Sequence, residues 1–521
     1  MEKTTTDSVD NNKEYRKGQK LILISVAICC TIFLISLDFS IIATAIPAIT
    51  SEFSSLNDVG WYGSAYLLTT VSSQLLVGKF YTIFSIKWVF LISLLIFCIG
   101  SAICGAAPNS VALILGRAIA GCGNAGLLSG ALLIMAHSVP LALRPLFTAI
   151  TGGLYGVAAI AGPPLGGVFT DRISWRWCFY INLPIGAIVF LVVASVFRSP
   201  PTPHRPKPTS SWDRIKPFDP VGTILFMPAI VCLLLALQWG GSTYPWEDAR
   251  VISLFVLSGV LIIIFLRVQC LMGNDATVPP RIIKLRTIWS CALYQFSLGA
   301  CFFIFIYYIP IWFQAVQGVS AIESGKRTLP MLIGNMVGTT MAGVAVTILG
   351  YYAPFMIIAT ILTSIGGGLL THFHPTISSA SWIGYQALVG FGIGVGWQQP
   401  IVAVQAAVSI DDVPITTAVL SFTQTIGGSL FVSIAQTAFS NALVRDFHTR
   451  LPDLDPASIL DYGATYLARH VPGQYLSSVI EMYSDALVHC FIVATAMAAL
   501  SITGGCFVEW KDINGKKETT A

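Results

Sequence analysis

Two ionisable residues stand inside long apolar stretches of the 521-residue sequence. Asp38 lies in Leu-Asp-Phe-Ser, and Arg117 lies in Gly-Arg-Ala-Ile-Ala-Gly. A charge that faces lipid costs at least about 2.5 kcal/mol, so each side chain should face a cavity or a partner. A titrating carboxylate beside a permanently charged guanidinium is suited to proton relay, and a structural ion pair is the alternative.

Small residues and prolines form a second pattern. The stretch Ala158-Ala-Ile-Ala-Gly-Pro-Pro-Leu-Gly-Gly places Gly162, Pro163, Gly166 and Gly167 within a single apolar run. Glycines on one helix face let two backbones approach closely, and proline bends a helix. The pattern therefore predicts a kinked close contact, either as part of a moving element or as simple helix packing.

The apolar run at 288–313 carries ten aromatic residues. Rings that face a cavity would suit flat, apolar ligands, whereas packing and membrane-interface belts are the alternative roles. Five residues are the candidate lining of such a cavity: Tyr294, Gln295, Gln398, Gln399 and Gln424. Interhelical hydrogen bonding is the alternative role for the glutamines.

Several enzyme and cofactor signatures are absent from the sequence. It has no phosphate-binding Gly-x-x-x-x-Gly-Lys-Ser/Thr, no His-Glu-x-x-His, no Cys-x-x-Cys and no nucleophile elbow. A Gly-x-Gly-x-x-Gly begins at Gly121, but it lies inside an apolar run and follows no strand, so it does not predict nucleotide binding. We therefore expect no catalytic residue, no metal site and no cofactor.

The composition identifies the elements that must position these residues. Hydrophobic residues make up 55% of the chain and charged residues only 10%, which excludes a soluble domain and disorder. A net charge of +4 without a basic stripe argues against nucleic-acid binding.

Fourteen apolar runs are long enough to cross a bilayer. We expect them to be helices, because open strands would leave backbone groups unpaired in lipid. They are approximately 21–45, 59–78, 88–106, 111–136, 146–169, 179–197, 220–239, 251–271, 288–313, 328–349, 353–371, 382–407, 415–440 and 486–508.

The basic residues predict the orientation of these spans. When the loops are assigned alternately to the two sides, 20 of the 29 Lys and Arg residues fall on the side of the N-terminus and 8 on the opposite side. Because cytoplasmic loops are enriched in Lys and Arg, both termini are predicted to be cytoplasmic.

The spacing of the runs predicts repeated halves. We expect a cytoplasmic tail at 1–20, six helices at 21–197, a Pro-rich cytoplasmic linker at 198–219, and two inserted helices with their connection at 220–287. A second six-helix bundle is expected at 288–508, with an extracellular or lumenal loop at 441–485, followed by a cytoplasmic tail at 509–521. Repeated bundles are typical of transporters, which rock one half against the other around a central site.

Four motifs resemble those of the major facilitator superfamily, and most closely those of the fungal fourteen-helix drug:proton antiporters. They are Gly78-Lys-Phe-Tyr-Thr-Ile-Phe-Ser-Ile-Lys-Trp, Gly116-Arg-Ala-Ile-Ala-Gly, Gly162-Pro-x-x-Gly-Gly and Trp175-Arg-Trp-Cys-Phe-Tyr-Ile-Asn-Leu-Pro-Ile-Gly. The resemblance covers nearly the whole chain.

The resemblance implies roles for particular positions. Gly162, Pro163, Gly166 and Gly167 match the antiporter motif, which in that family is associated with export. Arg117 and Asp38 match the residues implicated in proton coupling. Gly78 and Lys87 match the cytoplasmic gating loop, although Thr82 stands where an Asp is usual and Ser85 where a Gly is usual.

The sequence thus predicts an all-α polytopic membrane protein of the major facilitator fold, with two six-helix bundles and two inserted helices. The expected function is proton-coupled export of mid-sized, partly apolar organic compounds, such as secondary metabolites, toxins or antifungal drugs. Only protons, a small-molecule substrate and the lipid bilayer are expected as partners, and the chain should work as a monomer in the plasma membrane, with the vacuolar membrane as the alternative. An importer or vacuolar carrier of siderophores or amino acids, and a sensor without transport, are the rival functions.

Overall fold

The computed structural model describes residues 19–53, 58–199, 218–241, 244–409, 411–451 and 473–513. The predicted tail at 1–20, the linker at 198–219 and the tail at 509–521 therefore lie largely outside the described residues. Of the predicted loop at 441–485, residues 452–472 lie outside them, whereas 441–450 and 473–485 are helical.

Helices account for nearly all of the described chain, and no β-strand forms within these ranges. The long helices are α1 Gln19–Phe53, α2 Val59–Ile83, α3 Ile86–Gly105, α4 Ser110–Ser138, α5 Arg144–Arg172, α6 Asn182–Val196, α7 Pro220–Trp239, α8 Ala249–Met272, α9 Arg286–Gln317, α10 Leu329–Leu349, α11 Ala353–Leu370, α12 Ser379–Trp397, α13 Val413–Arg450 and α14 Gly473–Phe507. Short helices at Trp177–Tyr180, Pro280–Ile283, Ala321–Arg327 and Gln399–Ala407 lie between them.

Thirteen helical stretches of the described chain are long and apolar enough to cross a membrane. The remaining long helix, α2, has 25 residues but is less apolar. Its polar residues Thr70, Ser72, Ser73 and Gln74 are buried inside the protein, so this stretch does not need a lipid-compatible surface. The all-α fold is confirmed, whereas the count of fourteen spans stays a prediction at α2.

Three helices extend by eight or more residues beyond the apolar runs that predicted them. α1 continues to Phe53, α13 continues to Arg450, and α14 begins at Gly473. Backbone hydrogen bonding propagates into neighbouring polar residues, because each added residue contributes a bond once a helix exists. Hydropathy therefore marks the apolar part of a helix and not its ends.

The first six long helices pack mainly on one another. α1 contacts α4, α5 and α6, while α3 and α2 both pack against α4. In the second half, α9 packs against α13 and α14, α12 packs against α10 and α11, and α11 contacts α14. The inserted helices α7 and α8 pack together, and α7 also contacts α2 and α13.

Small residues join the two halves at one end of the molecule, which we call the Gly78 end. A Cβ atom on Gly78 of α2 would lie 2.4 Å from the Ala418 Cβ of α13. A Cβ on Gly343 of α10 would lie 2.2 Å from the Ala149 Cβ of α5. Both helix pairs thus approach as closely as their backbones allow.

A fully buried carboxylate fixes the inserted helices. Asp219 precedes α7 with a φ of 46°, in the left-handed region that Asp and Asn tolerate better than most residues. Its oxygens accept hydrogen bonds from the backbone N–H groups of Gly222 and Thr277, the Thr277 hydroxyl and the Gln269 side chain. The start of α7 is thereby tied to the end of α8 and the segment that follows it.

Candidate functional site

Asp38 and Arg117 form a buried ion pair within the first half of the protein. The Arg117 Nη1 atom of α4 donates to Asp38 Oδ2 of α1 across 2.6 Å, and neither side chain is more than 1% exposed. Asp38 therefore does not face lipid. The sequence-based expectation that each charge has a partner is met, because each residue is the other's partner.

The second carboxylate oxygen of Asp38 has its own donor. Asn182 Nδ2 of α6 lies 2.8 Å from Asp38 Oδ1 and 3.1 Å from the Ser101 hydroxyl of α3. All three side chains are buried. Asn182 stands in the stretch Trp175–Gly186 that carried the family resemblance, but sequence reasoning assigned it no role.

Arg117 is held on its other sides by α2. Its Nε atom donates to the Tyr62 carbonyl oxygen at 2.9 Å, and its guanidinium carbon lies 4.3 Å from the centre of the Tyr66 ring. A desolvated cation–π contact of this kind contributes about 2 kcal/mol. Arg117 Nη2, by contrast, has no hydrogen-bond partner within the described ranges.

Glycines on both sides of Arg117 let α4 approach its neighbours. A Cβ on Gly116 would lie 2.7 Å from the Cys104 sulfur of α3, and a Cβ on Gly121 would lie 2.3 Å from the Tyr66 carbonyl oxygen of α2. Larger residues at either position would push the helices apart and lengthen the contacts of Arg117. The spacing Gly-Arg-Ala-Ile-Ala-Gly thus has a packing explanation.

The antiporter-motif residues lie where α5 packs against α1. A Cβ on Gly162 would lie 2.0 Å from the Ser40 hydroxyl, and a Cβ on Gly166 would lie 2.6 Å from the Ile41 carbonyl oxygen. Pro163 lies within α5, and a Cβ on Gly167 would meet nothing within 4 Å. Gly162 and Gly166 therefore let α5 pack closely against the turn of α1 that follows Asp38.

The two residues of the candidate gating loop have different surroundings. Gly78 lies at the contact between α2 and α13 described above. Lys87 donates instead to the Ala194 carbonyl oxygen of α6, within the first half. Thr82, which replaces the usual Asp, donates to the carbonyl oxygen of Lys79 in its own helix.

Of the candidate cavity residues, three are buried inside the second half. Tyr294 donates to the Met356 carbonyl oxygen of α11 at 3.2 Å, and Gln399 donates to the Val395 carbonyl oxygen at 3.1 Å. Gln295 is 1% exposed, and its Oε1 atom has no partner in the described chain. These three side chains contact their own bundle, which favours the helix-packing role.

The other two candidates lie at helix contacts, and only Gln398 is close to the first half. Gln398 is next to α5, since a Cβ on Gly152 would lie 3.0 Å from its Nε2 atom. The backbone of Gln424 packs against Gly299, and its Nε2 atom has no partner among the described residues. A cavity of about 480 Å³ lies elsewhere, at the ends of α11, α13 and α14, where His372, Arg445 and His489 contribute to its lining.

The end of the first half opposite Gly78 carries a second polar cluster, here called the Glu52 end. Arg176 and Trp175 both donate to the Glu52 carboxylate, at 2.9 Å and 2.6 Å respectively. Arg176 also donates to the Ala107 carbonyl oxygen. The hydrogen bonds from Arg176 and Trp175 lower the pKa of Glu52 below its ordinary value.

Within the described ranges, no three His, Cys, Asp or Glu side chains are arranged to hold a metal ion. The buried groups around Asp38 instead provide hydrogen-bond donors and one fixed positive charge. Such a site can stabilise an ionised carboxylate and change its charge by binding one proton.

Apolar membrane-length helices with a buried ion pair define an integral, multi-pass membrane protein. A sequence profile of the Major Facilitator Superfamily matches residues 28–432, and the chain belongs to that superfamily. The family resemblance drawn from the motifs is therefore confirmed.

Among similar proteins, an aspyridones efflux protein of Neocamarosporium betae is 64% identical over 96% of this chain and 89% of that protein. The MFS-type efflux pump MFS1 of Trichophyton rubrum is 52% identical over 96% of this chain and 93% of that protein. The expectation of an exporter agrees with both names.

Solved structures show the same fold at low sequence identity. The human organic anion transporter MFSD10 aligns with a TM-score of 0.61 at 12% identity, covering 92% of this chain and 100% of that chain. The proton:xylose symporter XylE aligns with a TM-score of 0.58 at 15% identity, covering 95% and 97%.

Proposed function

We propose that this protein is a proton-coupled exporter of mid-sized, partly apolar organic compounds of the kind that fungi make as secondary metabolites. The efflux pumps named above support export and the class of cargo. The observation that carries proton coupling is the buried Asp38 carboxylate, each of whose oxygens accepts a hydrogen bond from a different helix.

In the proposed cycle, Asp38 alternates between two charge states. Ionised Asp38 is stabilised by Arg117 and Asn182, which draw α1, α4 and α6 together. A proton from the outside neutralises the carboxylate and removes the Coulomb attraction to Arg117, so α4 loses its electrostatic link to α1. Release of that proton to the inside restores the pair, and cargo moves outward in the same cycle.

The conformational change is a rocking of the two six-helix bundles. Contacts such as Gly78 with Ala418 and Ala149 with Gly343 close one end of the molecule, which we assign to the cytoplasmic side. Opening of this end would admit cargo, and its closure would commit cargo to release on the other side. We assign both termini to the cytoplasm and the monomeric protein to the plasma membrane.

The test uses the full chain in proteoliposomes with an imposed pH difference and an aspyridone as the first cargo. Asp38→Asn should reduce uphill export to the background of empty vesicles, because the side chain no longer exchanges a proton. Glu323→Gln is the matched control, since Glu323 is an exposed carboxylate that pairs with Lys326 at the surface. Continued uphill export by Asp38→Asn would refute proton coupling at this residue, and net inward transport would refute export.

A further inference from the structure

The two ends of the Asn182 side-chain amide have different hydrogen-bonding surroundings. Its Nδ2 atom donates to both Asp38 Oδ1 and Ser101 Oγ, whereas its Oδ1 atom has no partner within the described residues, although the side chain is fully buried. A buried amide oxygen without a donor is energetically unfavourable. Because no described residue donates to Oδ1, rotation of the amide breaks no hydrogen bond at that end.

Both partners of the Asn182 nitrogen can reverse their hydrogen-bonding role. The Ser101 hydroxyl is a donor as well as an acceptor, and Asp38 becomes a donor when it binds a proton. Rotation of the amide by 180° would place Oδ1 where Nδ2 now lies, so that Ser101 and protonated Asp38 donate to it. The number of hydrogen bonds to the amide is then the same in both charge states of Asp38.

We propose that Asn182 is a reversible hydrogen-bond partner of Asp38. Its amide donates to the ionised carboxylate and, after rotation, accepts from the protonated one. Ser101 bonds to the amide in both orientations. The inference rests on the proposed function, since it assumes that Asp38 binds the transported proton. The proton itself passes between water and Asp38, and Asn182 changes no covalent bond.

No other described side chain that contacts the Asp38 carboxylate can both donate to its ionised form and accept from its protonated form. Among the described residues, the titratable groups that interact with Asp38 are Arg117 of α4, Tyr66 of α2, Cys104 of α3 and Cys178 of the short helix Trp177–Tyr180. Arg117 has only donors and so cannot accept the proton of neutral Asp38. Among the side chains that contact the carboxylate, Asn182 alone offers both a donor and an acceptor in the described structure.

Asn182 supplies a hydrogen bond to Asp38 in both of its charge states, in place of water. Without it, neutral Asp38 would have a buried O–H with no acceptor, which opposes proton uptake. Ionised Asp38 would also lose a charge-assisted bond, and such bonds are about twice as strong as neutral ones. Because the ionised state loses more, removal of Asn182 should make Asp38 bind its proton more tightly.

The experiment is infrared difference spectroscopy of the purified full-length protein, titrated with pH in the absence of cargo. The carboxylic-acid band that disappears in Asp38→Asn identifies Asp38. In Asn182→Leu the midpoint of this band should move upward by roughly half to one pH unit, a threefold to tenfold increase in proton affinity, and the band should move to higher wavenumber. Asn182→Ala removes the same amide with a smaller side chain, should shift the midpoint in the same direction, and serves as the test if Asn182→Leu does not fold.

Asn124→Leu is the matched control, because Asn124 is a buried asparagine of α4 that donates to Thr70 and not to Asp38. Its midpoint should equal that of the unmodified protein. An unchanged midpoint in Asn182→Leu and Asn182→Ala, or an equal shift in Asn124→Leu, would overturn the role of Asn182. Failure to find any band that depends on Asp38 would instead overturn the proposed proton site.

Discussion

Gly78 of α2 contacts Ala418 of α13 so closely that a methyl group on Gly78 would lie 2.4 Å from the Ala418 methyl carbon. Real carbon atoms do not approach to that distance, so a larger residue must separate the two helices. Because these helices belong to different halves, the contact joins the halves at the Gly78 end. Its importance for transport can be tested with very small substitutions.

Gly78→Ala should slow export of an aspyridone roughly fivefold in the proteoliposome assay. Overpacking of a tight contact typically costs about 1 kcal/mol or more, which corresponds to that change in the population of the closed state. Gly63→Ala in the same helix is the control, since a Cβ there meets nothing within 4 Å. Its export should match that of the unmodified protein.

The double variant Gly78→Ala with Ala418→Gly exchanges the two side chains. The new methyl group would then lie 3.9 Å from the Cα atom of residue 418 and 3.5 Å from the Pro414 carbonyl oxygen, which are ordinary contacts. Export should therefore recover. If the double variant is as slow as Gly78→Ala, the contact between α2 and α13 is not the cause of the defect.

The sequence predicted the charged part of the site more fully than its neutral part. Asp38 and Arg117 stand out in apolar runs because an isolated charge in lipid is unfavourable, so a partner was required for each. Asn182 carries no such requirement, since many neutral polar residues pair with the nearest backbone carbonyl. Its role follows only from the packing of α6 against α1 and α3.

The cavity residues show a different limit of the sequence. Tyr294 and Gln295 lie in a run that is apolar and aromatic on all sides, so periodicity does not distinguish a cavity face from a bundle-facing one. The structure buries both inside the second half. α2 shows a related limit. Its buried polar residues face other helices and not lipid, and they make it less apolar than the thirteen stretches that could cross a membrane.

Removal of the Asp219 carboxylate should release the inserted helices. Asp219→Ala leaves four donors without their acceptor, and each buried donor left unpaired costs roughly 1–3 kcal/mol. The positive φ of Asp219 adds strain with alanine. We expect a clear loss of thermal stability in detergent, of at least about 2 kcal/mol.

Asp219→Asn retains one carbonyl oxygen and tolerates the same backbone conformation, so it should lose less stability. The helix-cap control is Asp248→Ala, because Asp248 caps α8 by accepting one hydrogen bond, from the Arg250 backbone N–H. Loss of such a cap costs about 1 kcal/mol. An Asp219→Ala protein as stable as Asp248→Ala would show that Asp219 acts only as a cap.

The cluster at the Glu52 end should make stability depend on pH. Arg176 and Trp175 lower the pKa of Glu52 in the folded protein below its value of about 4.3 in the unfolded chain. The stabilisation of the folded state by ionised Glu52 is therefore fully present above the unfolded pKa and is lost as pH falls through the folded pKa. Glu52→Gln should therefore lower the thermal unfolding temperature at pH 7, and the difference from the unmodified protein should shrink below about pH 4. The effect should be small, because both charged side chains are partly exposed and screened by solvent.

The measurement is thermal unfolding of both proteins across this pH range at low salt, repeated in an Arg176→Gln background. In that background the ion pair is already absent and the Trp175 hydrogen bond to Glu52 remains. Glu52→Gln should therefore change the unfolding temperature less than it does with Arg176 present, and the change should depend less on pH. A difference between Glu52→Gln and the unmodified protein that grows as pH falls would contradict the assigned direction. Equal pH dependence in both backgrounds would show that Arg176 is not its source.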